Sequence, residues 1–156
     1  MHKKVCRIIG KKIFSIITIG KLQNSAGLQL KFYKLNISIL LKYIMKKLTE
    51  EDEIGYIEFN IIQKNTIESE IQQFRVKEKF RNQRIGKALI TTGKEILIQY
   101  YNAEILTVCP ISFPYPGESS FPIKNLYFVY QKLGFEPIDK NADLDKSGSK
   151  MYMKLN

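Results

Sequence analysis

The sequence predicts a mixed α/β fold, a central sheet flanked by helices. Two observations carry this expectation. Strand-like and helix-like periodicities alternate through residues 66–139. At their start, two β-branched and aromatic segments, 54–62 and Ile67–Val76, flank the polar stretch Gln63-Lys64-Asn65-Thr66 in the manner of an antiparallel hairpin. The 156 residues fit one domain, 1–156, with a real core.

The elements follow in chain order. Residues 3–35 alternate apolar and basic side chains, broken at Gly10, Gly20 and Gly27, and read as short strands, with 28–35 the clearest. Ile37, Leu40, Leu41, Ile44 and Leu48 have helical spacing over 37–48, with Asn36 or Ser38 as the cap. In the strand 67–76 the apolar phase changes. Ile67 and Ile71 share one face under strict alternation, whereas Phe74 and Val76 fall on the other. A strand changes its buried face only through a bulge, or else is buried on both faces, so a bulge is expected near Gln72 and Gln73.

A helix over 85–101 comes next, with a stripe of Ile85, Ala88, Leu89, Thr92, Ile96 and Tyr100, and Gly93 placed for close packing on the sheet. Residues 103–111 form an apolar strand and 112–121 a turn-rich loop. Pro122 suits the first turn of a second helix, which Gly134 ends. Residues 135–139 and 151–155 are closing strands around a polar loop, 140–149. No internal repeat is visible.

The net charge of +10 is uneven: residues 1–49 carry 11 Lys and Arg with no acidic residue, and residues 50–156 carry 14 basic and 15 acidic ones. A basic segment attracts nucleic acid or anionic surfaces. These lysines lack Arg clusters and interleaved aromatics, so a solvated surface is preferred over a nucleic-acid partner. The apolar run 13–19 follows basic residues as in a signal peptide, but it is short, ends at Lys21 and lacks a cleavage motif. No segment reaches the roughly 18 apolar residues that span a bilayer, so no membrane is expected and the expected location is cytoplasmic. Cys6 and Cys109 are isolated and His2 is the single histidine, so no metal site is expected.

The stretch with the most chemistry is Val76-Lys-Glu-Lys-Phe80-Arg81-Asn-Gln83-Arg84-Ile85-Gly86-Lys87-Ala88-Leu89. It runs from a strand through a basic turn into a helix. The first backbone N–H groups of a helix have no intrahelical partner and meet the positive end of the dipole. Gly86 and Ala88 keep the approach clear, and Arg81, Arg84 and Lys87 add charge for phosphate oxygens. Read alone, this is either an anion site at a helix start or an ordinary basic helix start.

Gln83-Arg84-Ile85-Gly86-Lys87-Ala88 resembles the signature Gln/Arg-x-x-Gly-x-Gly/Ala of the GNAT superfamily of N-acetyltransferases. Val76, Phe80-Arg81 and Leu89 match its flanking positions, and Tyr130-Gln-Lys-Leu-Gly134-Phe135 resembles its Tyr-x-x-x-Gly-Phe helix end. The resemblance covers residues 54–139. It implies a mostly antiparallel sheet in which two parallel strands, 67–76 and 103–111, splay to admit the pantetheine arm of acetyl-CoA. It also implies a pyrophosphate on the turn 81–88. Phe74, Arg75 and Val76, with Arg81, Gln83, Arg84, Ile85, Gly86, Lys87 and Ala88, are then the cofactor-binding set, and an N–H near Gln73–Val76 would polarise the thioester carbonyl.

By the same resemblance Tyr130 would protonate the leaving thiolate. On its own helix it reads as a core tyrosine sharing a face with Ile123, Leu126, Tyr127 and Leu133, and Tyr127 is a rival for the role. The chain departs from the family pattern at Ile123, where many members have a cofactor-contacting Asn, and at Gln72, where some have a basic Glu. Glu70, or Glu68 on the same face, is the candidate base. The expected partners are acetyl-CoA and an amine acceptor of unknown identity, and a homodimer stays open. The rival expectation is a non-catalytic acyl-CoA-binding or partner- or RNA-binding module of the same fold.

Overall fold

The computed structural model describes residues 4–9, 13–21, 27–34, 51–63, 66–112, 114–141 and 149–155. The strands are β1 (Lys4–Ile9), β2 (Ile13–Lys21), β3 (Gly27–Lys34), β4 (Glu53–Gln63), β5 (Ile67–Val76), β6 (Ile105–Val108), β7 (Glu136–Pro137) and β8 (Met151–Lys154). The helices among the described residues are α1 (Ile85–Tyr101) and α2 (Ile123–Lys132), with a single 3₁₀ turn at Glu78–Phe80 before α1. The helix expected over 37–48 and the centres of the loops at 64–65 and 142–148 lie outside the described residues.

The strands form one sheet in the order β1-β2-β3-β4-β5-β6-β8-β7. Every neighbouring pair is antiparallel except β5 and β6, which run parallel, so the sheet is mixed and mostly antiparallel as expected. A parallel neighbour needs a crossover, and α1 supplies it.

The bulge is present. Glu58 pairs with Gln73 while Phe59 pairs with Ile71, so Gln72 is the extra residue on β5. This insertion resets the alternation. Ile71, Phe74 and Val76 all turn to the face that carries α1, next to Phe59, Ile57 and Gly55 of β4. Arg75 pairs with Tyr56 on the opposite face.

α1 buries Ile85, Leu89, Ile90, Thr92, Gly93, Ile96 and Leu97 against the sheet. Its stripe differs from expectation at one end: Tyr100 is exposed and Leu97 takes the core position instead. Successive four-residue steps advance the stripe by about 40°, so the seam drifts around a 17-residue helix. Asn102, in the left-handed conformation, closes the helix through its N–H to the carbonyls of Ile98 and Leu97. Leu28 and Leu30 of β3, Ile57 and Phe59 of β4, Leu106 of β6 and Tyr127 of α2 complete a continuous core. Each such side chain contributes roughly 1.5–3 kcal/mol by leaving water.

Two strands are shorter than their apolar runs. Residues 103–111 yield only Ile105–Val108, because Ala103 N–H still donates to Leu97 O of the helix and Pro110 has no N–H to offer. Residues 135–139 yield only Glu136–Pro137, where Pro137 likewise interrupts the ladder. β6 pairs with β5 over four residue pairs, Glu68 with Ile105 through Ile71 with Val108. Beyond Ile71, where the bulge begins, β6 gives β5 no further partner, and the two strands part.

Helix and sheet approach closely at Gly93. A Cβ there would lie 2.3 Å from the Phe59 ring, which is fully buried and has no room to retreat. Overpacking typically costs about 1–3 kcal/mol, and replacing a helical glycine recovers up to about 1 kcal/mol of helix propensity. Gly93→Ala is therefore expected to destabilise the fold by about 1–2 kcal/mol in a urea melt. An unchanged or raised midpoint would show that this helix–sheet contact is looser than described.

Candidate functional site

Where β5 and β6 part, the chain leaves β5 through a turn that returns as α1. Lys77 N–H donates to Ile54 O, Phe80 N–H to Lys77 O and Arg81 N–H to Glu78 O, forming the 3₁₀ turn. Asn82 and Arg84 then adopt left-handed conformations, with φ of 60° and 62°. A left-handed residue next to right-handed ones bends successive N–H groups toward a common point, the arrangement that cradles anions. Arg84 is the N-cap and makes no side-chain cap hydrogen bond, and the first turn of α1 carries no acidic residue. Ala88 N–H to Arg84 O is the first helical bond, so the N–H groups of Ile85, Gly86 and Lys87 have no carbonyl of their own helix.

A Cβ at Gly86 would stand 3.1 Å from the Phe74 ring. Glycine thus keeps Phe74 of β5 and the first turn of α1 in direct contact.

These elements wall a cavity of about 400 Å³. Phe74, Arg75 and Val76 form its β5 side, Arg81, Asn82 and Arg84–Lys87 its turn side, and Ile111, Ser112, Pro114 and Phe121 the facing loop. Leu126 and Val129 of α2, with Leu133 just past its end, complete it. Of the residues singled out from the sequence, Phe74, Arg75, Val76, Arg81, Arg84, Ile85, Gly86 and Lys87 meet on this wall. Gln83 and Ala88 do not line it. Gln83 donates to Lys79 O, and Ala88 packs half-buried on the core.

Arg81 is held in two ways. Its Nη2 lies 2.8 Å from Glu118 Oε2, and its Nε donates to Val76 O at 3.2 Å. Glu118 also accepts the Glu78 N–H through Oε1 at 2.9 Å, and Phe121 lies 6.0 Å beneath the guanidinium. One carboxylate from the loop after β6 therefore braces both ends of the turn. Glu118 was not singled out from the sequence, where it sits in a polar loop with no periodicity. Asn82 was readable, since asparagine is among the few residues that tolerate a left-handed backbone.

The two tyrosines of α2 have different surroundings. Tyr127 is fully buried and its hydroxyl donates to Ser149 O at 2.5 Å. Tyr130 is also buried, but its hydroxyl has no hydrogen-bond partner among the described residues. Its ring packs on Phe74 of β5 at 6.0 Å and edge-on to Phe135 at 5.4 Å. Burial pushes the Tyr130 phenol above its ordinary range, because a phenolate there would lose its hydration. Tyr130 abuts the cavity wall through Phe74 and is not itself on it. Glu70 lies on the face opposite α1, 3.2 Å from Lys150 Nζ, and accepts a hydrogen bond from Gln72 Nε2. Ile123, in the place of the family Asn, begins α2, and Asn125 is exposed.

A mixed sheet whose parallel pair splays beside a left-handed turn and a glycine-opened helix start is the architecture of the GNAT acyltransferases. Residues 31–111, just over half of the chain, match the model of the acetyltransferase (GNAT) family, and the chain belongs to that family. Among solved structures, a GNAT-family acetyltransferase from Staphylococcus aureus Mu50 superposes with a TM-score of 0.57 at 18% identity, over 87% of this chain and 72% of that one. The spermidine/spermine N-acetyltransferase SpeG from Vibrio cholerae, solved with manganese ions, gives 0.55 at 11% identity, over 85% and 68%. A GNAT-family protein from Desulfovibrio desulfuricans gives 0.56 at 10%, over 83% and 69%. At these identities the likeness is one of fold. No curated protein matches the chain.

The brace on the turn makes a local prediction. A hydrogen bond to a charged acceptor contributes about 1.5–3 kcal/mol, and 1.4 kcal/mol is a factor of ten. Glu118→Ala should speed hydrogen exchange at the Glu78 amide by roughly ten- to a hundredfold while the melting temperature moves little. Unchanged protection at Glu78 would mean that Glu118 does not hold the turn.

Proposed function

We propose that this chain transfers an acetyl group from acetyl-CoA to an amine by direct attack. The observation that carries this reading is the convergence of the uncapped N–H groups of Ile85, Gly86 and Lys87 beside left-handed Asn82 and Arg84, at the mouth of the β5–β6 splay. The donor set fits a diphosphate: backbone N–H groups, a helix dipole and the cations Arg84 and Lys87, with Gly86 letting the helix start sit directly on Phe74. Arg81 supports the turn through Glu118 as well as adding charge. Gln83 and Ala88 hold the turn and seat the helix. Phe74, Arg75 and Val76 would offer their backbone groups to the pantetheine amides along the unpaired edge of β5.

In this reading a neutral amine nitrogen bonds to the acetyl carbon and the carbon–sulfur bond breaks. The ammonium proton goes to water or to Glu70 beforehand. A β5 N–H between Gln73 and Val76 polarises the carbonyl oxygen. Tyr130 gives its hydroxyl proton to the departing sulfur, and the proton that the nitrogen sheds as the amide forms returns through water to the Tyr130 oxygen, so no charge is left on either group. Tyr130 suits this role better than Tyr127, whose hydroxyl is already bound to Ser149 O. The location consistent with this chemistry is the cytoplasm, where acetyl-CoA is made available to soluble enzymes. No described helix is long and apolar enough to cross a membrane.

One observation favours a second reading, an acyl-CoA-binding protein without turnover. Gln72 stands where a base is found in some relatives, and the nearby Glu70 carboxylate is engaged by Lys150 and by Gln72 itself. Turnover with a panel of amines separates the two readings.

Two predictions test the proposal. Gly86→Val puts a branched side chain against Phe74 and Val76, displacing two walls of the cavity that the turn opens onto, so acetyl-CoA affinity should fall at least tenfold by calorimetry, with the fold retained by circular dichroism. Equal affinities would remove the turn from the cofactor site. Tyr130→Phe keeps the ring contacts and removes the proton donor, so kcat should fall by about 10²–10⁴-fold with acetyl-CoA affinity nearly unchanged. Because burial raises the Tyr130 pKa, loss of its proton is displaced above the ordinary value of about 10, and the kcat profile of the unmodified chain should show no descending limb below about pH 10. Full turnover in Tyr130→Phe would assign the protonation to solvent.

A further inference from the structure

Behind the cavity, on the sheet face opposite α1, lies a polar cluster that the reaction as drawn does not use. Arg75 is its centre. The guanidinium lies 4.3 Å from the Tyr115 ring centroid and 5.1 Å from that of Tyr56, so an aromatic face approaches it from each of two segments. Stacking occupies the faces of a guanidinium and leaves its in-plane N–H groups available. Arg75 Nε is buried and has no hydrogen-bond partner among the described residues. A buried donor without an acceptor is costly, about 1–3 kcal/mol and more for a charged group.

The carboxylates of the cluster are held by other groups, although Glu53 Oε2 accepts no hydrogen bond among the described residues and has only the Lys31 ammonium opposite it. Glu53, 1% exposed, accepts the Tyr115 hydroxyl at 2.6 Å and pairs with Lys31 at 3.5 Å. Glu58 accepts the Tyr56 hydroxyl, which in turn accepts from Gln29 Nε2. Burial and these glutamates push both phenols up, so neither ring becomes a phenolate that would neutralise Arg75.

Arg75 is also the residue directly before Val76 and directly after Phe74, the two side chains that face α1. Its backbone runs along the edge of the splay while its side chain serves the other face. A group bound by that side chain would reach the thioester from the side opposite the phosphate turn.

We propose that Arg75, held over the rings of Tyr56 and Tyr115, binds the carboxylate of the acceptor, and that the acceptor is a small amine bearing a carboxylate. The fork of a guanidinium matches a carboxylate in a two-point contact, and the rings hold it in place before the acceptor arrives. The inference rests on the acetyltransferase reading above.

The test sets each L-amino acid against its α-amide, with acetyl-CoA and release of the CoA thiol as the readout. The unmodified chain should turn over at least one acid with kcat/KM tenfold or more above that of its amide. Arg75→Gln should bring that ratio close to one, chiefly through KM for the acid, and Arg75→Lys should restore part of it, since charge without the fork is a weaker match. Thermal melts of both variants report folding, and the lysine variant keeps the question open to measurement if the glutamine variant unfolds. Preference for amides, a ratio unchanged by substitution, or no turnover of any acid by a chain that binds acetyl-CoA would each overturn the proposal. A loss of acetyl-CoA affinity as large as the loss of acid turnover would also overturn it, by assigning the guanidinium to the cofactor. Failure of the unmodified chain to bind acetyl-CoA would instead sink the acetyltransferase reading, which calorimetry distinguishes.

Discussion

One inserted residue, Gln72, controls the geometry on which the rest depends. Without it, strict alternation would turn Phe74 and Val76 away from α1, and the helix start would face a polar surface. With it, Ile71, Phe74 and Val76 share the core face, so α1 packs along the whole of β5. The same insertion ends the regular ladder where β6 ceases to pair. A bulge therefore does two things with one residue: it keeps the apolar seam continuous and it opens a gap beside that seam. The gap is polar along its edge because the β5 backbone there has lost its neighbour, and a buried unpaired strand edge needs an occupant.

The turn that follows concentrates unfavourable local conformations. Asn82 and Arg84 are both non-glycine residues with positive φ. Asparagine adopts that region at small cost, whereas arginine does not, and a conformation of this kind typically costs about 1 kcal/mol or more. Packing on both sides holds it there. Phe74 presses on Gly86, Ile85 and Leu89 fill the space beside Gly55, and Glu118 fastens Arg81 and the Glu78 amide. Strain held by its surroundings in this way is preorganisation: the N–H groups converge before any ligand is present, so little ordering remains to be done on binding.

How much of this was legible depended on whether the cause was local. β5 and α1 were readable to the residue, since a phase change over ten residues and a helical stripe over 17 leave direct marks in the order of side chains. The bulge was readable for the same reason. The true lengths of β6 and β7 were not, because an apolar run states only that residues avoid water, while pairing is decided by which neighbours remain. Ile71 is the last partner that the bulged β5 offers to β6, opposite Val108, and Pro137 cannot donate. The brace by Glu118 and the cluster of Tyr56, Glu53, Arg75 and Tyr115 were invisible. Tyr115 and Glu53 are 62 positions apart, in a loop and at a strand end, and no periodicity links them. The choice between Tyr127 and Tyr130 was also tertiary: both lie on one helical face, and only the Ser149 carbonyl separates their surroundings.

The two faces of β5 divide the chemistry. On the α1 side the groups are backbone donors, a dipole and flexible cations, which suit a diphosphate that every acyl-CoA carries. They read charge and little else. On the other side the groups are a stacked guanidinium, two neutral phenols and glutamates already engaged, which is a rigid and partly desolvated surface. A cation in water discriminates poorly among anions, but a guanidinium held over two rings offers its donors in one plane. Selectivity among acceptors would therefore belong to this face. The sequence is consistent with that division: the turn side is where the family signature falls, whereas Tyr56 and Tyr115 belong to no part of it. If the family positions supply the common chemistry of acetyl transfer, the residues particular to this chain are the place to look for what it acetylates. The strand that joins the two faces is only one residue thick, so a group on Arg75 and a group on the turn are kept apart by the β5 backbone itself. In the proposed reaction attack would then occur beside β5, in the gap where its pairing with β6 ends at the bulge.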